Sequence, residues 1–498
     1  MAPTAAVLAL DIGTSSCRAS LYSAEDGQPL RGRRARLVYT PRTTADGGAE
    51  LDAEALFDQV CTCVDGVLGR GRSPRILGVG TSTFWHSLLG LDRRGAPITP
   101  IYLWLDARSR QAAASLRQRL DERATHARTG CVLHWSYWPA KLTWLAQAQP
   151  DLTRRVARWV SFGEFLLERL TGQSGVSVSM ASATGLLDQH TCGWDDQLLS
   201  ELPIEPGQLG GLAPLSATGN LRRAYSERWP TLRHVRWLPA VGDGACSNLG
   251  AGCTTEAWFA LMIGTSAAER AVWRPGGSFH IPWGTWCYRV DERRVVLGGA
   301  MNDGGNLLDW LRRALRLPRR EQLEAQVAEL TPDGHGLTLL PFWGGERSTG
   351  WSADAQGALV GLRLHTRPVE VVRAALEGVA LRFARLDAQL RQAMPGARGE
   401  LVATGGALLH SPAWLQIMAD ALGRGVQVST EPEASSRGAS LLASETLGLL
   451  GAPLEQARPV VAHVFEPLAE HARRYEEAAA RQQRLYDLLI RPREAMHG

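Results

Sequence analysis

Apolar and polar positions follow one order near the start of this chain and repeat it past the middle. The first run, Val7-Leu-Ala-Leu-Asp11-Ile-Gly13-Thr14-Ser15-Ser16, stays apolar until Gly-Thr-Ser breaks it, and a second run, Arg18-Ala-Ser-Leu-Tyr22, follows at once. Two such runs around a glycine and two hydroxyl residues predict a β-hairpin with a polar tip. A third strand is expected over Leu30 to Tyr39. A helix follows, with Leu56, Val60, Val64 and Val67 on one face and Asp52 suited to cap it. Ile76 to Ser82 reads as a fourth strand ending in small polar residues. Past the midpoint, Trp258-Phe-Ala-Leu-Met-Ile-Gly264-Thr265-Ser266-Ala267 and Glu269-Arg-Ala-Val-Trp273 predict a second hairpin. Strands at Thr285 to Val290 and Val295 to Met301, a long helix from Pro368 to about Ala393, and a strand Leu401 to Thr404 ending at Gly405-Gly406 complete the repeat. Ser411-Pro412 then stand where a helix cap and first turn belong.

Three strands, a helix and a strand, occurring twice, imply an α/β protein of two domains with common architecture, over residues 1–252 and 253–498. The length of 498 residues agrees, since one core rarely grows past about 250 to 300. The helical, tryptophan-rich stretch from Trp104 to Trp237 is read as insertions that build a substrate wall. Leu468 to Ile490 reads as a charged amphipathic helix packed on the surface.

Composition removes whole classes. With 45% hydrophobic and 21% charged residues the chain is an ordinary soluble globular protein, and its net charge is only +4. The arginine clusters at 31–36 and 312–320 lack any zinc, helix-turn-helix or aromatic RNA-binding pattern, so they read as solvated faces and no nucleic-acid partner is expected. No stretch approaches the roughly 20 apolar residues that span a bilayer, and none resembles a leader, so no membrane association and a cytoplasmic location are expected. The eight scattered cysteines read as buried thiols. The sole lysine, Lys141, lies outside any Gly-Lys-Ser/Thr loop, which excludes a Walker-type phosphate site and the protein-kinase scheme.

The two polar tips suggest chemistry. Glycine lets a turn approach a ligand closely, and free N–H groups with Thr and Ser hydroxyls suit phosphate oxygens. Only the first copy carries an acid, Asp11, just before its turn. Two similar grips with one acid suggest two domains facing one nucleotide, with the acid near its metal. Magnesium keeps several waters and takes one or two carboxylates, so Asp11 is expected to hold it through water. Asp243 follows the apolar run Val235 to Val241 and precedes a helix start, which places a carboxylate at a strand end facing a cleft.

The chain resembles the FGGY carbohydrate kinases, paired ribonuclease-H-like domains of the actin, heat-shock-70 and hexokinase superfamily, from Leu8 to about Leu450. The resemblance rests on Asp11-Ile-Gly-Thr-Ser-Ser, Trp104-Leu-Asp-Ala-Arg108, Lys141-Leu-Thr-Trp-Leu145, Gly242-Asp-Gly-Ala245, Ile263-Gly-Thr-Ser266 and Ala403-Thr-Gly-Gly-Ala407, in that order. Phe84-Trp-His86-Ser-Leu-Leu, Ser179 to Leu187, Gly298 to Gly305 and Gly344-Gly-Glu-Arg347 are similar to the gluconate kinases within it. Two departures are Trp85, larger than usual before the histidine, and Ser348-Thr349, where a proline commonly follows the Glu-Arg pair.

The resemblance implies a nucleotide cleft between the domains, with ATP and Mg2+ as cofactors and γ-phosphoryl transfer to a sugar hydroxyl. It implies Asp243 as base, and Gly13, Thr14, Ser15 and Arg18 facing Gly264 and Thr265 across the phosphates. Gly305, Gly405 and Gly406 fall on the adenosine side. Trp85, His86, Trp104 and Asp106 match substrate-contacting positions, and Arg108 and Arg347 are candidates for an acid group or for structural ion pairs. The expected partner is a small sugar acid or polyol, gluconate first, with a homodimer allowed for. The alternatives are xylulokinase or another ketose or polyol kinase, and, further off, an actin-like or chaperone-like ATPase.

Overall fold

The computed structural model describes residues 5–69 and 74–490. The first half is built on strands β1 (Ala5–Ile12), β2 (Ser16–Ser23) and β3 (Pro29–Val38), helix α1 (Ala53–Leu68), and strands β4 (Arg75–Thr83), β5 (Arg236–Trp237) and β6 (Val241–Gly242). The sheet order is β5-β4-β1-β2-β3, with β6 also on β4. β1 runs antiparallel to β2 and parallel to β4. Asp52 caps α1 by accepting from Ala55 N at 2.8 Å, and Leu56, Val60, Val64 and Val67 are buried on one face. Four buried apolar side chains at about 1.5–3 kcal/mol each outweigh a cap of about 1 kcal/mol, so the face rather than the cap fixes this helix.

The second half repeats the plan. Helix α2 (Asp243–Gly250) leads into β7 (Trp258–Ile263), β8 (Ala267–Trp273), β9 (Trp286–Arg289) and β10 (Val295–Met301), then helix α3 (Pro368–Ala393), β11 (Glu400–Thr404) and β12 (Val426–Ser429). Helix α4 (Ala434–Thr446), β13 (Val461–Phe465) and helix α5 (Ala469–Leu489) follow. The sheet order is β9-β10-β8-β7-β11-β12-β13. Its core, β10-β8-β7-β11-β12, matches β3-β2-β1-β4-β5 in order and in direction of pairing, as two ribonuclease-H-like domains require. Ser411 caps its helix by accepting from Trp414 N at 3.2 Å, with Pro412 in the first turn.

α5 is the amphipathic surface helix expected: Tyr475, Ala478, Gln482 and Tyr486 form its buried face, and Gln482 donates to the carbonyls of Leu339 and Gly378. α4, though it follows the second sheet, packs on α2 and on β1 and β4 of the first. The contact is backbone to backbone. A Cβ on Gly250 would lie 1.8 Å from the Ala434 carbonyl oxygen, and one on Gly438 1.8 Å from that of Cys246. Each domain has its own core, and a third apolar cluster joins Trp85, Tyr137, Ala245 and Leu249 to Trp286, Tyr288, Val296 and Leu441 across the halves. Among the described residues no helix is long and apolar enough to cross a membrane.

Candidate active site

The strand β1 is buried until it reaches the first turn, where Gly13 N donates to Ser16 O at 2.9 Å and Ser15 is exposed. The register pairs Asp11 with Arg18, and Arg18 Nη1 lies 2.9 Å from Asp11 Oδ2. Burial raises the Asp11 pKa, with the Arg18 guanidinium opposing it. The second half reaches this turn through the start of α4: Ser436 Oγ is 3.5 Å from Asp11 Oδ2, and Glu433 pairs with Arg18 at 3.4 Å and also with Arg34. The second turn closes in the same way, Gly264 N to Ser266 O at 2.9 Å, with Thr265 exposed. Gly305 N donates to Gly264 O at 2.8 Å and Asn306 N to Thr265 O at 3.1 Å. Parallel pairing of Met262 with Thr404 brings Gly405 and Gly406 to the same edge. Gly264, Thr265, Gly305, Gly405 and Gly406, far apart in sequence, thus converge.

Asp243 lies where β6 ends and α2 begins, with β6 held parallel to β4 at Ser82 and Thr83. The glycines on either side serve packing rather than a turn: a Cβ on Gly242 would lie 1.7 Å from Trp85 Nε1, and one on Gly244 2.5 Å from the same indole. Trp85 therefore covers the backbone on both sides of the carboxyl, and its size answers the two missing side chains. Asp243 Oδ1 accepts from Gly244 N at 2.8 Å. Burial pushes the Asp243 pKa up to about 6, against the pull of Arg270 and with a further push from Asp11. Arg270 comes from β8 in the second half, is buried, and is held by Asn248 of α2 through Nε to Oδ1 at 3.0 Å. Sequence reasoning passed over Arg270. Its signal was two adjacent charges, Glu269 and Arg270, in an otherwise apolar strand, which the fold buries throughout.

On the wall expected to face the sugar, His86 has φ 66° and its Nδ1 lies 2.6 Å from the Ala183 carbonyl. A carbonyl only accepts, so Nδ1 carries the proton and Nε2 is left an acceptor. Burial, with Arg347 and Lys141 nearby, lowers the His86 pKa to about 3 and keeps the ring neutral. His86 is thereby suited to accept from a hydroxyl, not to donate to a carboxylate. Lys141 donates to His86 O at 3.1 Å and Ser136 O at 2.9 Å, and burial lowers its pKa to about 7. Trp104 Nε1 reaches Thr14 Oγ1 at 3.4 Å, joining that wall to the first turn.

The two arginines part company here. Arg108 donates to Glu50 at 2.6 Å and to both oxygens of Asp106, and lies over Trp144 and Tyr102. Asp106 also accepts from Ala49 N at 3.2 Å and is 1% exposed. Both side chains are engaged with each other, and Arg108 thereby makes structural ion pairs, one of the two roles expected of it. Arg347 lies over Trp104 and Trp351, at 5.4 and 5.7 Å, and makes no ion pair among the described residues. Its neighbour Glu346 anchors the loop, taking Arg382 at 2.6 Å, Tyr486 OH at 2.7 Å and the N–H groups of Gly350 and Ser352.

Residues 6–250 match the N-terminal domain of the FGGY family of carbohydrate kinases and residues 259–446 its C-terminal domain. The chain is 26% identical to a gluconokinase of Bacillus licheniformis, over 99% of this chain and 97% of that protein. It superposes on the gluconate kinase of Lactobacillus acidophilus with a TM-score of 0.89 at 25% identity, covering 98% of each chain. The ligand-bound xylulose kinase of the same organism gives a TM-score of 0.89 at 25% identity, with 97% of this chain and 98% of that one covered.

Proposed function

We propose that this chain, which belongs to the FGGY family of carbohydrate kinases, transfers the γ-phosphoryl group of ATP to the terminal hydroxyl of an open-chain sugar acid, converting D-gluconate to 6-phosphogluconate. Asp243 takes the hydroxyl proton as the O–P bond forms. A hydroxyl needs its proton removed only at that moment, so a carboxylate ionised above about pH 6 suffices. The two turns meet the phosphates through Gly13, Thr14, Ser15 and Arg18 on one side and Gly264 and Thr265 on the other, and Gly305, Gly405 and Gly406 lie along the adenosine. Asp11 suits magnesium held through water: it is a single hard oxygen donor beside a turn, with one oxygen already engaged by Arg18. Bound there with the nucleotide, magnesium would offset phosphate charge.

Arg347 carries the choice of an acid. It is a guanidinium among tryptophans with no carboxylate partner among the described residues, whereas Arg108 is paired with Asp106 and Glu50. A carboxylate leaving water needs such a donor; a neutral ketose does not. Similarity to gluconokinases supports the same reading. The equal superposition on a xylulose kinase favours a ketose kinase as the second reading. ADP release across aldonic acids, polyols and ketoses decides between them. Gluconate is expected to give the highest kcat/KM, and a ketose ahead of it would replace the first reading with the second.

A further inference from the structure

Lys141, the sole lysine of the chain, lies in the first turn of the helix Trp138–Ala148 and is 1% exposed. An ammonium taken out of water ordinarily needs a carboxylate, yet Lys141 makes no ion pair among the described residues, and Asp106 acts on it only through space. Its partners are backbone carbonyls instead: His86 O at 3.1 Å and Ser136 O at 2.9 Å. Ser136 Oγ in turn donates to Trp104 O at 3.0 Å. One amine thus gathers the backbones that carry His86 and Trp104 on the wall expected to face the sugar. Burial lowers its pKa to about 7, and the neutral amine still has two N–H groups, one for each carbonyl.

His86 needs such a hold. Its φ of 66° is left-handed backbone, which a residue with a β-carbon keeps only where its surroundings impose it. Two contacts impose it here: Lys141 takes the His86 carbonyl, and the Ala183 carbonyl takes the ring at Nδ1. With both ends fixed, the place of Nε2 is fixed as well. That atom has no partner among the described residues and is not sealed from solvent, so it is open to a ligand hydroxyl.

Resting on the reading that His86 meets the sugar, we infer that Lys141 is a positioning residue: it holds His86 in its left-handed conformation and so sets the ring nitrogen that accepts from a substrate hydroxyl. A compact amine on a flexible stem suits this task, since it can meet carbonyls that approach from different segments.

A double-mutant cycle tests it. Lys141→Met keeps the bulk of the stem and removes both donors. In the parent enzyme it is expected to raise the Kd for gluconate, measured by calorimetry, about tenfold, and to leave the Kd for a non-hydrolysable ATP analogue within about twofold. In a His86→Ala background there is no ring to place, and the same change is expected to alter gluconate binding by less than about twofold. Equal losses in both backgrounds, a matching loss for the nucleotide, or no loss in the parent overturns the assignment. Should Lys141→Met fail to fold, the unmodified enzyme decides. With one lysine in the chain, [15N]lysine labelling gives a single side-chain signal, expected to move when the sugar binds and to stay when the ATP analogue binds alone. A signal moved by neither ligand, or equally by both, overturns the assignment. If the enzyme prefers a ketose, that sugar takes the place of gluconate in both measurements, so the acid reading falls while the role of Lys141 stands or falls by its own result.

Discussion

Replacing Asp243 with Asn keeps the side-chain shape and removes the proton acceptor, so turnover should fall about 10²-fold or more with ATP affinity little changed. Turnover near that of the unmodified enzyme would leave the base unidentified. The raised pKa adds a second expectation. A carboxyl whose folded pKa, about 6, exceeds its unfolded value near 3.8 binds its proton more tightly when folded. The stability this contributes is fully present below pH 3.8 and lost as pH rises through 6. Asp243→Asn should therefore be more stable than the parent above pH 6, by up to about 3 kcal/mol less what cleft water screens, and equal to it below pH 4. Thermal unfolding at pH 4 and pH 8 measures this. In the parent, kcat/KM should decline tenfold per pH unit below about 6, as the base is protonated; a flat profile down to pH 5 would contradict the assignment. Asp243 was readable in sequence because a strand end, a Gly-Asp-Gly and a helix start are local. Arg270 was not, since it matters only through Asn248 and Asp243, which the fold brings from elsewhere.

Among elements, both hairpins, the buried face of α1 and the length of α3 followed from spacing and caps that act within a few turns of chain. The placement of α4 did not, because nothing in Ala434–Thr446 says which sheet it will meet. What decides it is a pair of glycines far apart in sequence, Gly250 and Gly438, that let α2 and α4 touch backbone to backbone. Gly438→Ala isolates that contact. Alanine favours a helix by about 1 kcal/mol, but a methyl group 1.8 Å from a carbonyl oxygen must separate the helices. A net loss of about 1–3 kcal/mol is expected by denaturant unfolding. Gly211→Ala, where nothing lies within 4 Å of the added carbon, should change stability by less than about 0.5 kcal/mol. Equal effects at the two positions would mean that the crossing is not close-packed.

At the scale of the whole molecule, the proposed site is divided. Asp11 and Asp243 lie in the first half, Gly264, Thr265 and Arg347 in the second, and the halves meet at the α2 and α4 crossing and at an aromatic cluster in which Tyr137 OH lies 2.6 Å from Tyr288 OH. A cleft of this kind cannot admit substrates and exclude water in one arrangement, so both ligands together should draw the halves in about the crossing near Gly250. The repeated sheets were legible in sequence, but the relative position of the halves was not, since it depends on contacts such as Arg270 to Asn248 that join strands of one domain to a helix of the other. Small-angle scattering tests closure: the radius of gyration should fall when gluconate and a non-hydrolysable ATP analogue are both present, and less with either alone. Tyr288→Phe removes one hydroxyl from the joint and leaves both phosphate turns intact, so it should weaken sugar binding a few-fold while nucleotide binding holds. An unchanged radius with both ligands bound would mean that the two halves already stand in their working positions, and that the crossed helices serve stability rather than motion.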